Sequence, residues 1–379
     1  MKVLFIAAGT SPAGVFALAP LATAVRNAGH EIMVASFDEL TPTIEAVGLP
    51  PVAVVTDHTT ESIKQLNRPG GPIEFPWSPD QELPYVGRWF GRQAAVSLEG
   101  LLSLATHWRP DLVVGGTDAH AAGLLAAHLG VPHVRQAWDW LHFDGVERYA
   151  NEELAPELAL LGLDELPAPD LFLDICPPSL IPPGTPPGTP MRWVPGNRQR
   201  ALEPWMYTPG ERPRVCVTYG SFRTAMPEIF DHLCALVSRL TELDADIVVA
   251  ANEEAAGKLR TLFPQVRSGW VPLEFLLPTC DTIVHSGGLT ALNAMAAGTP
   301  QVVLNQFVAF EPSLRLLEQQ GSSVVLHRGD GSPDGTFEAC AKVLSDDSYA
   351  RQARELAREL GSMPTPNDVV ADLEGLVRG

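Results

Sequence analysis

The sequence lacks long hydrophobic runs, paired cysteines and an excess of positive charge. No stretch reaches the roughly 18 to 20 apolar residues that are needed to cross a bilayer. The sequence has 26 Lys and Arg residues and 45 Asp and Glu residues, which gives a formal net charge of −19. This balance argues against a nucleic-acid partner and against docking on anionic lipid, because both need a basic face. A phosphate ligand remains open, since helix N-termini bind phosphate without net positive charge.

The cysteines and the start of the chain indicate a compartment. The 5 cysteines are widely spaced and form no CxxC pair. This pattern is typical of reduced thiols and not of a disulfide framework or a zinc site. The apolar run at residues 3–8 is too short for a signal peptide and leads directly into a loop and a helix. We therefore expect a cytoplasmic protein.

The length and the hydrophobic pattern predict two α/β domains. A chain of 379 residues, 45% hydrophobic and 19% charged, can bury more than one sizeable core. The run at residues 3–8, closed by Gly9, predicts a buried parallel strand. Helical spacing over residues 15–28 and a further apolar run at 31–36 complete a strand–helix–strand opening. The same alternation restarts at Arg214–Thr218.

A proline-rich connector separates the two halves. Eight prolines lie within residues 177–195, which excludes a helix or a central strand and predicts a stiff linker. We predict an N-terminal domain over 1–205 that includes this linker, and a C-terminal domain over 206–360. A final helix within 361–379 is expected to pack back on the N-terminal domain. Residues 57–84 predict a long mobile loop at the edge of a site.

The clearest local signal lies at residues 285–290, where a strand ends, glycines follow and a helix begins. Gly287 and Gly288 let backbone N–H groups approach a phosphate, and the helix dipole favours its charge. Thr290 is expected either to cap the helix or to donate to a phosphate oxygen. His285 is expected to stabilise a departing diphosphate. The alternative is an ordinary strand-to-helix turn with a core histidine.

Three further segments are candidates for binding. Gly220 and Ser221 close a neighbouring strand and would converge on the same anion, unless they form a plain loop. Trp270, followed by Val271, offers a flat apolar face to a nucleobase or is a core tryptophan. Ser11 is expected to line the cleft or to cap the first helix. The loop at 9–14 does not have the GxGxxG spacing of a nicotinamide site.

Asp139 is the candidate general base. It follows a predicted strand and stands between Trp138 and Trp140, so its pKa is expected to be raised. A helix-capping or surface aspartate is the alternative. We assign Trp138, Trp140, His142 and Ser11 to the acceptor pocket. No metal-binding spacing and no DxD-type carboxylate pair appears near the glycine turn, and we therefore expect neither a metal nor another cofactor.

These segments together resemble the donor signature of the GT-B glycosyltransferases. The signature is carried by GWVP at 269–272, CD at 280–281, HSGG at 285–288 and AGTPQ at 297–301. In particular, the chain resembles the bacterial enzymes that decorate natural products with deoxysugars. RQAWD at 135–139, DICPPSL at 174–180 and EPWMYT at 203–208 are similar to the C-glycosyltransferases that attach olivose-type sugars to aromatic polyketides.

The resemblance implies a GT-B fold, in which two doubly wound Rossmann-like domains face each other across a cleft. It implies a dTDP-deoxysugar donor, an aromatic polyketide acceptor and, as one option, a homodimer. It places Trp270 beside the nucleobase of the donor. It places His285, Gly287, Gly288, Thr290 and Ser221 around the diphosphate.

Two departures from the wider family refine this prediction. Related O-glycosyltransferases carry a catalytic histidine in the loop after the first strand, and residues 10–16 contain none, which favours Asp139 as base. The family's Asp-Gln pair for sugar hydroxyls is replaced by FVAFE at 307–311, which suits a 2,6-dideoxyhexose. Glu311 is expected to bind one sugar hydroxyl.

The sequence thus predicts an inverting transferase that forms a C-glycoside. An O-glycosyltransferase needs the same base and donor site and remains an alternative. So do a sugar-nucleotide epimerase and a non-catalytic helper of a partner transferase.

Overall fold

The computed structural model describes residues 1–9, 11–76, 78–142, 145–220 and 227–378. It contains two parallel α/β sheets, which confirms the predicted two-domain architecture. Among the described residues, no helix combines the length and the apolar character needed to span a bilayer.

The first sheet is built from seven strands. They are β1 (Lys2–Ile6), β2 (Glu31–Phe37), β3 (Pro51–Val55), β4 (Leu112–Gly116), β5 (His133–Gln136), β6 (Leu171–Asp174) and β7 (Thr189–Pro190). Their order is β3-β2-β1-β4-β5-β6-β7, and every recorded pairing is parallel. Successive residues of β1 such as Leu4 and Phe5 are both fully buried, because helices cover both faces of the sheet.

The second sheet repeats this plan with six strands. They are β8 (Arg214–Thr218), β9 (Asp246–Ala250), β10 (Arg267–Gly269), β11 (Thr282–His285), β12 (Gln301–Leu304) and β13 (Ser323–Leu326). Their order is β10-β9-β8-β11-β12-β13. In both sheets the order reverses beside the first strand, between β1 and β4 and between β8 and β11. Such reversal points are where open α/β sheets bind ligands.

Helices connect the strands of both domains. In the N-terminal half they are α1 (Pro12–Asn27), α2 (Thr41–Ala46), α3 (Thr60–Lys64), α4 (Glu82–His107), α5 (His120–Leu129), α6 (Val146–Glu153) and α7 (Ala155–Leu161). In the C-terminal half they are α8 (Pro204–Tyr207), α9 (Pro227–Leu240), α10 (Glu253–Leu262), α11 (Leu273–Leu276), α12 (Leu289–Ala297), α13 (Glu311–Gln320), α14 (Pro333–Ser345), α15 (Asp347–Ser362) and α16 (Pro366–Arg378).

The two domains share an apolar interface. One hydrophobic cluster joins Trp140 and Leu180 of the first domain to Leu314 and Leu317 of α13. The last helix, α16, packs on α1 of the first domain, and His30 Nε2 lies 2.9 Å from a carboxylate oxygen of Glu374. These contacts hold the carboxyl edges of the two sheets at one cleft.

The connector between the domains crosses α1 at very close range. A Cβ atom on Gly196 would lie 2.2 Å from the carbonyl oxygen of Phe16, so only glycine permits this crossing. The connector continues into Asn197, whose side-chain amide donates to Glu274 at 3.1 Å in the second domain. The linker therefore passes directly beside the cleft.

The segment at residues 57–84 is more ordered than the prediction of a long mobile loop. It contains α3, and Ile63 and Ile73 are buried. Arg68 and Arg92 each place Nε 2.9 Å from Glu153 Oε1, which fastens the segment to α4 and α6. The buried ion pairs explain the difference, because three separate elements must meet to form them.

Candidate functional site

A cleft of about 330 Å³ lies where the reversal points of the two sheets face each other. The first domain contributes Ser11, Pro12, Ala13, Phe16, Trp138 and, from the connector, Asn197. The second domain contributes Thr218, Tyr219, Gly220, Ala250, Ala251, Trp270, Val271, Leu273, Ser286, Gly287, Gly288, Leu289, Thr290 and Asn293. Most of the predicted donor-binding residues thus line one cavity.

The turn between β11 and α12 forms an anion-binding surface. Gly287 and Gly288 have φ angles of +95° and +65°, values that residues with a side chain rarely adopt. Gly288 is the N-cap of α12 and offers no side-chain hydrogen bond to the first turn. The first N–H groups of a helix have no intrahelical partner, and here they begin at the wall of the cleft. Thr290 lines the cleft from the first turn and is not the cap.

His285 does not have the role predicted for its side chain. Its Nδ1 accepts a hydrogen bond from the Gly287 N–H at 2.9 Å, so Nε2 carries the proton and donates to Gln301 Oε1 at 2.9 Å. Burial lowers the pKa of His285 to about 4, against the opposing effect of Gln301. Both ring nitrogens are therefore engaged, and the neutral ring shapes the glycine turn. The prediction of a direct contact with diphosphate is corrected accordingly.

The second glycine turn follows β8, next to β11 in the sheet. Gly220 has a φ of +76°, and its N–H donates to Thr218 Oγ1 at 3.1 Å. Because β8 and β11 are neighbours, both glycine turns reach the same end of the cleft. Ser221 lies outside the described residues, so its predicted role remains a prediction.

Trp270 stands at the entrance to the donor side and is held by the connector. Its Nε1–H donates to the carbonyl oxygen of Arg198 at 3.2 Å, and the Arg198 guanidinium lies 4.9 Å from the ring centroid. The ring of Phe16 approaches it from the first domain at 6.4 Å. Val271 follows it in the cleft wall. The indole is thus positioned by both domains and the linker.

Asp139 approaches the glycine turn from the opposite domain. Its Oδ2 lies 3.9 Å from the position that a Cβ atom on Gly288 would occupy, and its Oδ1 accepts the Trp140 N–H at 2.7 Å. Burial raises the pKa of Asp139 to about 7, although backbone hydrogen bonds from Trp140 and Leu141 lower it. A carboxylate with this pKa can accept a proton near neutral pH.

Asp118 is a buried carboxylate that the sequence analysis did not single out. It follows β4 and accepts a hydrogen bond from Trp138 Nε1 at 2.8 Å. Burial raises its pKa to about 6, with the Trp138 hydrogen bond opposing the shift. Its negative charge also contributes to the raised pKa of Asp139. The sequence signal that could have identified Asp118 is an aspartate two residues after a buried apolar strand.

The four residues assigned to the acceptor pocket separate into two groups. Ser11 and Trp138 line the cleft, and Ser11 Oγ also accepts the Ala13 N–H at 3.4 Å as the N-cap of α1. Trp140 is instead fully buried in the interdomain core, because the chain turns inward after Asp139. This placement corrects the prediction for Trp140.

His142 lies at the domain interface and not in the cleft wall. Its Nε2–H donates to Asp174 Oδ2 at 3.0 Å, and its backbone N–H donates to Ser313 Oγ at 3.2 Å. Burial lowers the pKa of His142, but the hydrogen bond and charge of Asp174 outweigh it and the net shift is upward. The predicted acceptor contact is therefore corrected to a structural contact between domains.

Glu311 is also already engaged by its neighbours. Its Oε1 accepts hydrogen bonds from Asn305 Nδ2 and His327 Nδ1, each at 2.8 Å. Its Oε2 lies 3.9 Å from Arg315. The predicted bond to a sugar hydroxyl, for which Oε2 is the available oxygen, remains a prediction.

The segment before Glu311 is apolar and is held by the first domain. The rings of Phe307 and Phe310 lie 5.2 Å apart, and Phe75 of the first domain lies 6.4 Å from Phe307. The buried carboxylate of Glu82, the first residue of α4, accepts the N–H groups of Val308 and Ala309 at 3.2 and 2.9 Å. The two domains are therefore joined at this segment as well.

In the part of the chain that the structure describes, no group of three or more His, Cys, Asp or Glu side chains is placed to hold a metal ion. The expectation of a metal-independent reaction rests on the sequence and remains a prediction.

Known proteins match both halves of the chain. Residues 23–220 match the N-terminal domain of the erythromycin biosynthesis protein CIII-like family, and residues 234–376 match its C-terminal domain. The L-demethylnoviosyl transferase of Streptomyces niveus is 32% identical, with 94% of each chain covered. The elloramycin glycosyltransferase ElmGT of Streptomyces olivaceus is 31% identical, with 98% of this chain and 97% of the relative covered.

Solved structures match the whole fold. The glycosyltransferase SsfS6 of Streptomyces sp. SF2575, complexed with thymidine diphosphate, is 34% identical with a TM-score of 0.87 and covers 99% of both chains. The spinosyn rhamnosyltransferase SpnG, complexed with spinosyn aglycone, is 28% identical with a TM-score of 0.86 over 99% of this chain and 100% of that chain. These matches confirm the GT-B fold. The chain belongs to the erythromycin biosynthesis protein CIII-like family and is a glycosyltransferase.

Proposed function

We propose that the protein transfers a deoxysugar from a dTDP-sugar to an aromatic polyketide, with inversion and with formation of a C-glycosidic bond. The donor class is supported by the similar structures of SsfS6 and SpnG, both of which were solved with thymidine diphosphate. The acceptor class is supported by similarity to the elloramycin enzyme and to an aclacinomycin-T 2-deoxy-L-fucose transferase.

The observation that carries the proposal is the approach of Asp139 to Gly288. A base from one domain stands 3.9 Å from the Cβ position of the glycine that starts the anion-binding helix of the other domain. A sugar on a diphosphate at this helix would lie between leaving group and base. Holding two reactants in such a geometry contributes greatly to transfer.

On the donor side, the backbone supplies the stabilisation. The N–H groups at the start of α12 neutralise the diphosphate as its bond to the anomeric carbon breaks. Trp270 supports the thymine ring, and the two glycine turns at Gly220 and Gly287 leave room for phosphate oxygens. His285 contributes indirectly, because it holds the Gly287 N–H.

On the acceptor side, Asp139 takes the phenol proton. Electron density then moves from the phenolate oxygen to the neighbouring ring carbon, which attacks the anomeric carbon from the face opposite the diphosphate. One C–C bond forms and one C–O bond breaks, with dTDP as the leaving group. The ring carbon then loses its own proton to solvent, and the protonated Asp139 returns the phenol proton, which restores the aromatic phenol and the carboxylate.

The apolar segment at 307–310 favours a sugar with few hydroxyl groups, such as a D-olivose-like 2,6-dideoxyhexose. Hydroxyl groups placed against Phe307 and Phe310 would lose water without gaining hydrogen bonds. This assignment of the sugar is part of the proposal.

Replacing Trp270 with alanine should raise the KM for the dTDP-sugar about 10- to 100-fold, because base–aromatic stacking contributes about 1–3 kcal/mol. The acceptor KM should stay within about two-fold. Trp205→Ala is the matched control, since Trp205 lies outside the cleft, with its ring centroid 5.3 Å from the guanidinium of Arg267. Steady-state kinetics of both variants check the prediction, and equal effects would contradict it.

The proposed reaction is tested by incubating the protein with dTDP-olivose and 1-hydroxyanthraquinone, then heating the product in acid. A glycoside that survives acid supports C–C bond formation. An acid-labile glycoside would show O-transfer by the same site. Turnover of the donor without a glycoside would indicate an epimerase, and no turnover would indicate a helper protein.

A further inference from the structure

A second cavity lies in the first domain, at the carboxyl ends of β1, β2 and β4 and under α4. Its free volume is about 10 Å³, which is close to the space that one oxygen-sized atom requires. Ala8 and Phe37 border it at the strand ends, and Gln93 of α4 covers it. The position is the edge at which open α/β sheets bind ligands.

Gln93 is buried in this cavity without hydrogen bonds. It is 1% exposed, and neither Nε2 nor Oε1 has a hydrogen-bond partner among the described residues. An amide without hydrogen bonds is unfavourable in a protein interior, and such groups are rare in native folds. A methionine or leucine would fill the same space at lower cost, so packing alone does not account for Gln93.

Two further polar groups line the same cavity. His120, the first residue of α5, is 5% exposed, and its Nε2 has no partner within the described part of the chain. Burial lowers its pKa to about 3, so the ring is neutral at physiological pH. Asp118 is 6% exposed and has one oxygen on the Trp138 indole. The cavity therefore offers both donors and acceptors.

Asp118 links this cavity to the cleft. The indole of Trp138 lines the cleft, while its Nε1–H bonds to the carboxylate of Asp118 in the cavity wall. The Gln93 Oε1 also lies 3.8 Å from the Cβ position of Gly9, in the loop that leads to Ser11 in the cleft. The cavity thus adjoins the side of the cleft that Trp138 lines.

We propose that this cavity is an acceptor subsite, in which Gln93 and His120 bind one carbonyl oxygen of the acceptor. The Gln93 amide donates to the carbonyl oxygen, and the neutral imidazole of His120 supplies a second hydrogen bond. This inference rests on the proposed transfer to an aromatic polyketide.

The test uses Gln93→Met, which keeps the length of the side chain and removes its hydrogen bonds. The KM of the variant for the acceptor 1-hydroxyanthraquinone should be about ten-fold above that of the wild type, equivalent to about 1.4 kcal/mol. The KM for the dTDP-sugar should not change, and the Tm should equal or exceed that of the wild type. Ser97→Ala is the matched control, since Ser97 borders the same cavity but its hydroxyl bonds to the Gln93 carbonyl at 2.7 Å.

A second measurement compares two acceptors and begins with the wild type. The wild type should have a KM for 1-hydroxyanthracene, which lacks the quinone oxygens, about ten-fold above that for 1-hydroxyanthraquinone, a difference that Gln93→Met should abolish. An unchanged acceptor KM in the variant, or equal KM values for the two probes in the wild type, would overturn the subsite. So would a lowered Tm with an unchanged KM, which would show that the amide serves only the fold. If the wild type glycosylates neither probe, it is the proposed function that fails.

Discussion

Replacing Asp139 with asparagine is expected to lower kcat about 100- to 10,000-fold, the usual contribution of a general base. Asparagine keeps the shape of the side chain and can still accept the Trp140 N–H through its oxygen, but it cannot take the phenol proton. Binding of thymidine diphosphate should be preserved, because the diphosphate is held by the other domain. Single-turnover kinetics with 1-hydroxyanthraquinone and calorimetric titration with thymidine diphosphate measure the two effects.

The same substitution should stabilise the protein at pH 8. The pKa of Asp139 is about 7 in the folded state, above the ordinary value of 3.8, so the folded protein binds this proton more tightly than the unfolded chain does. Stability therefore falls as the pH rises from about 4 to 7, and the charged form is disfavoured above that range. Removing the charge should raise the Tm at pH 8.

Asp170→Asn provides the control for the effect of Asp139→Asn on kcat. Asp170 Oδ2 accepts the backbone N–H of His133 at 2.8 Å, at the start of β5 and therefore at the opposite end of this strand from Asp139. We expect this variant to keep its kcat. If Asp139→Asn retained kcat within about three-fold of the wild type, another group would have to be the base.

Replacing Gly288 with alanine is expected to lower kcat/KM for the dTDP-sugar about 100-fold or more, as loss of an oxyanion-type donor does. Gly288 has φ +65° and ψ −149°, a conformation that is essentially restricted to glycine. A methyl group would force the turn to relax and would tilt the first N–H groups of α12 away from the diphosphate. It would also approach Asp139, whose Oδ2 lies 3.9 Å from the new Cβ.

The other end of α12 offers a matched control. Gly298 follows the helix with φ +68° and ψ 30°, so an alanine there is also strained. Gly298→Ala should lose stability by about 1–2 kcal/mol, comparable with the loss in Gly288→Ala, because both positions favour glycine. Only Gly288→Ala should lose donor binding. Equal loss of kcat/KM in both variants would mean that α12 matters only for stability.

The glycine turns and the buried strands before them follow from local sequence. Each apolar run that ends at glycine, as at Gly220 and Gly287, predicts a buried strand with a ligand-binding turn, because only glycine tolerates the positive φ that the turn requires. Asp139 is predictable for a similar reason, since a residue just after a parallel strand lies at the ligand-binding edge.

Side-chain direction and pairing are not local, and they account for the corrected residues and for the contacts of Glu311. His285 is the last residue of β11, and its ring turns toward Gln301 of the neighbouring strand. Trp140 is one residue from Asp139, yet it is enclosed by a core that includes residues of α13. Glu311, the first residue of α13, shares a hydrogen bond with His327, which lies after that helix and the following strand. None of these partners is visible in the spacing of the sequence.

The pH dependence of kcat/KM with 1-hydroxyanthraquinone tests Asp139 as the base. A base must be ionised, so kcat/KM should rise with pH up to about 7, the pKa of Asp139, and stay level above it. Asp118, with a pKa of about 6, titrates nearby and its charge helps to raise the pKa of Asp139, and therefore Asp118→Asn should keep the rise but move it to a lower pH. Asp139→Asn should show a low rate without this rise. A wild-type profile that is flat between about pH 5.5 and 8.5, or a rise that persists in Asp139→Asn, would contradict the assignment of the base.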